Sequence, residues 1–168
     1  MSFVSESLIL EAFVQTLHYR PLDYSISHRF LRIEEFYVRR VVKALDAYYR
    51  HKVASGTLSI AIVTDPVISE IHKRFMDDPS ATDVITFTGI PGEDAGEIII
   101  SADHAWKASK TRNNRIDWEM TLYLVHGWLH LAGLDDRSYR TRRLMRAAEK
   151  ELMSWLTRRN TYLQTCMK

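Results

Sequence analysis

The chain's 168 residues are 46% hydrophobic and 26% charged, with 6 Gly and 4 Pro, which excludes collagen-like, low-complexity and disordered classes and fits a single domain over residues 1–168. One cysteine, Cys166, rules out an internal disulfide framework and a cysteine-based zinc site. The net charge of +2 hides a division: residues 1–103 carry 10 Lys+Arg against 15 Asp+Glu, whereas residues 104–168 carry 13 against 6.

The opening MSFVSESLILEAFVQTLHYRPLD has no basic n-region and no long apolar core with a cleavage site, so no signal peptide is expected. Apolar runs stay far below the roughly 18 residues of a spanning helix, so no membrane contact and a cytoplasmic location are expected. From Ile33 to about Lys52, Ile33, Tyr37, Val41, Ala44, Leu45 and Tyr48 recur at three- and four-residue steps, the period of an amphipathic helix. Leu58, Ile60, Ile62 and Val63, between Gly56 and Asp65-Pro66, read as a buried strand. Pro66 then opens a helix bearing Val67, Ile68, Ile71 and Phe75. Strands follow at Asp83–Thr88 and Glu97–Ser101, joined by the turn-rich Gly89–Gly96, which fits no phosphate-loop pattern. The remainder is helical, over 102–112, 116–132 and 138–158. The fold class is α+β: a small mixed β-sheet with packed helices.

Arg137, Arg140, Arg142, Arg143 and Arg146 crowd one short segment. Charge runs usually mark only a solvated helix face, but the guanidinium fork matches phosphate oxygens, and Arg137, Arg140 and Arg143 are candidate phosphate contacts. Trp106, Trp118, Trp128 and Trp155 fall at apolar helical positions and read as core rather than as base-stacking platforms.

The helix beginning at Ile116 is apolar on nearly every face and so lies buried, yet it contains His126 and His130. Four apart, their side chains share one face and reach one ion. Gly133 can take the positive φ that ends the helix, returning Asp136 to the same ion as a third ligand. The spacing is that of H-E-x-x-H-x-x-G-x-x-H with Asp in the last place. Two histidines and a carboxylate suit zinc and leave its fourth position open. A lone H-x-x-x-H would usually be two hydrogen-bonded core histidines; the glycine and carboxylate at fixed offsets favour a metal. Where a metalloprotease keeps its glutamate base stands Gly127, so peptide hydrolysis by that route is disfavoured. Glu119, two turns earlier on the same face, reads as a group behind the ligands or as a solvated residue.

These residues resemble the YbeY family of bacterial rRNA-maturation endoribonucleases, whose H-G-x-L-H-L-x-G-[YH]-D-H is here HGWLHLAGLDD. Ala81–Phe87 is similar to the family's P-T-[DN]-V-L-S-F strand and Ala95–Ser101 to its L-G-D-I-x-I-S strand, a likeness running from about Leu58 to Trp155. The resemblance implies a metal site on a central buried helix and its following turn, one Zn²⁺ held by His126, His130 and Asp136, and hydrolysis of ribosomal RNA. It places that hydrolysis in 16S rRNA 3′-end maturation and quality control on the small ribosomal subunit; a monomer is assumed. Asp136 stands where the family usually has His, which lowers the site's charge by one and weakens the Lewis acid. The family's Tyr-Arg before the T-[DN]-V strand aligns with Phe75-Met76. Arg74, the nearest substitute, is turned about 200° away on a helix. Arg74 and Asp135 are the remaining candidate catalytic groups. Two other readings stand beside this one. The first is a non-catalytic ribosome-assembly factor with a structural or vestigial metal. The second is a non-haem Fe(II) site, disfavoured because all three ligands come from one helix and its turn.

Overall fold

Alternation in the central strands decides which helices lie on which face of the sheet. The computed structural model describes residues 20–90 and 92–167. In chain order these form β1 (Leu22–Ile26), β2 (Leu31–Ile33), α1 (Glu35–Asp46), β3 (Thr57–Val63), α2 (Asp65–Met76), β4 (Val84–Thr88), β5 (Asp94–Ser101), α3 (Ala102–Arg112), α4 (Ile116–Leu131), α5 (Tyr139–Arg158) and β6 (Thr165–Met167). Four strands make a mixed sheet in the order β1-β3-β5-β4, parallel except for β4, while β2 and β6 form a separate antiparallel ribbon. The α+β class with a small mixed sheet is as the sequence indicates. No helix among the described residues is long and apolar enough to cross a membrane.

Leu58, Ile60 and Ile62 of β3 and Ile98 and Ile100 of β5 point to one face, where they pack with α1, α3, α4 and α5 in a core that runs from Leu22 to Leu163. Val63, Ile85 and Ile99 point to the other, where Ile68 of α2 covers them. Helix α4 lies between the sheet and α5, and Met120, Leu124, Val125, Trp128 and Leu129 are all fully buried along it.

The helix expected over 33–52 is shorter at both ends. Ile33 pairs in the β2–β6 ribbon, opposite Thr165. At the other end the indole of Trp155 donates to the Ala44 carbonyl (3.2 Å) and Lys52 to the Asp46 carbonyl (2.9 Å), satisfying acceptors that a continuing helix would use. Tyr48 is buried edge-on to Trp155 beyond the helix end. Strand β1, Leu-Asp-Tyr-Ser-Ile, alternates apolar and polar residues, a period-2 signal too short to stand alone, and β2 and β6 are shorter still; each becomes a strand because a neighbour offers it a ladder.

Two local features set the position of α4. At its start, Glu119 is wholly buried and accepts from Arg112 (2.7 Å) at the end of α3 and Asn114 (2.8 Å) in the connecting turn, so the charge is paired where it is desolvated. Glu119 is therefore neither solvated nor a group behind the ligands, because its oxygens are committed at the α3–α4 corner. At mid-helix, a Cβ on Gly127 would lie 2.6 Å from Ile98 Cγ2 and 3.2 Å from methyls of Thr86 and Val84. Glycine there lets the α4 backbone lie directly on β4 and β5.

Gly127→Ala should therefore destabilise the fold. The helix-propensity gain is about 1 kcal/mol, and overpacking costs about 1–3 kcal/mol. Denaturant titration is expected to show a net loss of about 1 kcal/mol, whereas a gain would mean that the sheet yields freely beneath the helix.

Candidate metal centre

The last turn of α4 brings His126 and His130 together with their Nε2 atoms 2.9 Å apart. The helix ends in a Schellman turn: the Gly133 N–H donates to the His130 carbonyl (2.9 Å), the Leu134 N–H donates to the Leu129 carbonyl (3.0 Å), and Gly133 takes φ +90°. The reversal returns Asp136, whose carboxylate oxygens lie 3.8 Å from His126 Nε2 and 3.9 Å from His130 Nε2. One ligand atom from each of the three lies within 4.8 Å of the others, a His/His/Asp cluster able to coordinate a metal ion.

The opposite ring nitrogens show what these three atoms are disposed to hold. His130 Nδ1 lies 3.0 Å from the Leu134 carbonyl, which can only accept, so Nδ1 carries the hydrogen and Nε2 presents a lone pair. His126 Nδ1 lies 2.6 Å from Glu149 of α5, and that carboxylate likewise draws the hydrogen to Nδ1. Two neutral rings so fixed would direct lone pairs at one another across 2.9 Å, an arrangement that needs a cation between them. Two nitrogens at zinc–nitrogen bond lengths and a tetrahedral angle lie about 3.3 Å apart, so small ring rotations suffice and the donor set fits a metal.

Without a metal a proton serves. Burial pushes the His126 pKa down, but the Glu149 hydrogen bond and the charges of Glu149, Asp83 and Asp136 outweigh it, and the pKa is raised. Burial and then the neighbouring positive His126 lower that of His130. The shifts run in opposite directions, so a proton shared by the two rings rests on His126 in preference to His130. Asp83, in the Thr-Asp-Val stretch that begins β4, is anchored by its own hydrogen bonds from Thr82 and the Val84 N–H.

Of the other sequence candidates, Asp135 is adjacent to the ligands, but its carboxylate faces Arg137, 3.6 Å from Nε. Arg74 lies in the last turn of α2, on the opposite face of the sheet from α4, with its guanidinium over the Phe75 ring at 5.6 Å. Arg137, Arg140 and Arg143 are exposed at and just beyond the metal turn, Arg143 beside Tyr139. Gly127 faces the sheet, so a glutamate there would point away from the cluster. Glu149 is the residue that the sequence reading missed. Its signal lies in α5, where Met145, Ala148, Leu152 and Met153 form the buried stripe and a carboxylate interrupts it.

Residues 25–157 match the family model described as Endoribonuclease YbeY. The chain belongs to the YbeY family. It is 32% identical over 108 residues to Endoribonuclease YbeY of Porphyromonas gingivalis, covering 64% of this chain and 72% of that one. It is 34% identical over 121 residues to the protein of the same name from Chlamydia pneumoniae, covering 67% and 77%. A solution structure of a Thermotoga maritima protein shares the fold, with a TM-score of 0.57 at 19% identity over 80% of this chain and 88% of that chain. The family match begins upstream of Leu58, where the motif-level likeness starts.

Because Glu149 fixes the tautomer and orientation of His126, Glu149→Gln should weaken metal binding by about 10- to 100-fold. Competition against a chromophoric chelator measures this, and unchanged affinity would remove Glu149 from the site.

Proposed function

We propose that this chain is a zinc-dependent endoribonuclease that hydrolyses phosphodiester bonds of ribosomal RNA, in 16S 3′-end maturation and ribosome quality control, working in the cytoplasm on the small ribosomal subunit. The observation that carries the reading is the convergence of His126, His130 and Asp136 within 4.8 Å, on a member of a family whose model is named for this activity. His126 and His130 would hold the ion through Nε2 and Asp136 through a carboxylate oxygen, with a fourth position left for reactant. When bound, such an ion would supply Lewis-acid polarisation of a phosphoryl oxygen and acidify a water molecule.

The chain's own groups do the rest. Glu149 and the Leu134 carbonyl hold the two imidazoles in the ligating tautomer. Side-chain exposures of 18% for His126, 24% for His130 and 39% for Asp136 leave the cluster open to a large substrate on the Asp136 side. There the exposed Arg137, Arg140 and Arg143 engage the RNA backbone, neutralising phosphates beside the cleaved bond. Asp135 braces the turn against Arg137.

One observation favours a second reading, a non-catalytic assembly factor. Phe75 and Met76, aligned with the family's Tyr-Arg, are 60% and 53% exposed, so an apolar surface replaces the arginine. Cleavage of the same RNA with and without chelator, run beside ribosome co-sedimentation, separates the two readings. Chelator-sensitive cleavage is expected, and co-sedimentation without it would favour the assembly factor.

His130→Ala should take the purified protein from one metal per chain to nearly none and abolish cleavage, as read by elemental analysis and an RNA assay, while Asp136→His retains the metal. Each of Arg140→Ala and Arg143→Ala should lower the slope of log affinity against log salt by about 1 without changing metal content.

A further inference from the structure

A cavity lies at the other end of α4 from the metal cluster. Strands β1, β3 and β5 run parallel, and the segments leaving their carboxyl ends enclose a groove of about 440 Å³, within the range of small-ligand sites. Phe30 and Leu31 follow β1, Thr64 follows β3, Trp106 lies in the first turns of α3, and Ile116 opens α4. Open α/β sheets bind ligands at this end of their parallel strands.

The groove is preformed. The N–H groups of Leu31 (2.9 Å) and Phe30 (3.3 Å) donate to His28 Nδ1, so the ring hydrogen sits on Nε2 and is given to Asp103 at 3.2 Å. The other Asp103 oxygen accepts the Asp65 N–H (2.8 Å), and the Asp65 carboxylate is taken by Ser101 (2.5 Å) and Lys107 (2.6 Å). Asp103 on the floor thus has both oxygens hydrogen-bonded, and Asp65 behind it is paired with Lys107; the two carboxylates already occupy the first turns of α3 and α2, so the floor is no site for an anion.

What the groove offers instead is ring surface. Phe30 is 50% exposed and Trp106 is 41% exposed, against the sequence expectation that all four tryptophans are core. Trp128 is fully buried and Trp118 and Trp155 are half-buried, so Trp106 alone departs. Each open ring carries a cation: Lys110 Nζ lies 4.2 Å from the Trp106 centroid and the Arg29 guanidinium 5.2 Å from that of Phe30. Exposed aromatics beside cations are the elements of a single-strand platform, the rings stacking bases and the cations meeting phosphates at the rim.

We infer that the groove between Phe30 and Trp106 binds an unpaired base of the RNA substrate, with Arg29 and Lys110 on the flanking phosphates. The inference rests on the ribonuclease reading and deepens it by adding a base-binding subsite apart from the metal. Ile116 lines the groove and His126 lies ten residues along the same helix, so the bound base sits on the order of 15 Å from the cluster, at 1.5 Å per residue. It is a base removed from the reacting phosphate by several nucleotides.

The test measures binding of a fluorescently labelled single-stranded RNA to the full chain, in chelator to prevent cleavage. Trp106→Ala and Phe30→Ala are expected to bind about tenfold more weakly, as the loss of one base–aromatic stack implies, while Trp106→Phe binds like the unaltered protein. An RNA carrying an abasic nucleotide at the engaged position should bind the unaltered protein more weakly and leave Trp106→Ala little further to lose. Equal affinity of Trp106→Ala and the unaltered protein for the intact RNA overturns the inference. So does a free protein whose acrylamide-accessible tryptophan fluorescence does not fall in Trp106→Phe, because the chain itself then covers the groove. An unaltered protein that takes up zinc yet binds no RNA overturns the ribonuclease reading instead.

Discussion

Two imidazole nitrogens held 2.9 Å apart, each with its opposite nitrogen committed to an acceptor, are the constraint on which this structure turns. Neither ring can rotate away without leaving a hydrogen-bond donor unpaired in a half-buried setting, which costs about 1–3 kcal/mol. Each acceptor comes from a different level of organisation: a backbone carbonyl presented by the helix-ending turn and a carboxylate from a helix later in the chain. The metal centre is thereby tied to the packing of α4 against α5.

The sheet contributes to the same arrangement from below. Gly127 lets α4 lie on Ile98, Thr86 and Val84, and the buried Glu119 fixes the helix's entry through Arg112 and Asn114. The histidines are aimed by their own hydrogen bonds and set at their height by the absence of a single side chain beneath them. The same helix begins at the aromatic groove and ends at the cluster, so one rigid rod spaces both sites.

The ligands were legible because a helix turn and a glycine reversal are short-range geometry: His126, His130, Gly133 and Asp136 lie within eleven residues, and local rules carry from one to the next. Helix α1 was legible from the three- and four-residue period of its apolar residues, β3 from its β-branched run, α2 from Pro66 at its start, and α4 as an apolar helix on nearly every face. Glu149 escaped because its partner is twenty-three residues away and only the packing of two helices makes them neighbours. Glu119 was misread for the converse reason, since helical spacing places it on the histidine face but cannot show that Arg112 and Asn114 close over it. Trp106 was taken as core because an apolar position on a short helix does not reveal whether anything covers it. The three-residue strands β2 and β6 exist only as partners of one another.

The contact beneath Gly127 also bears on descent. A glycine codon can lie one base change from a glutamate codon, so the protease-like sequence His-Glu-x-x-His is a near neighbour of this gene in mutational terms. It is remote in structural terms, because the new side chain would have to displace methyl groups on two strands at once. On this scaffold the glutamate of a peptide-cleaving His-Glu-x-x-His site therefore meets a steric barrier at the sheet, independent of the metal itself.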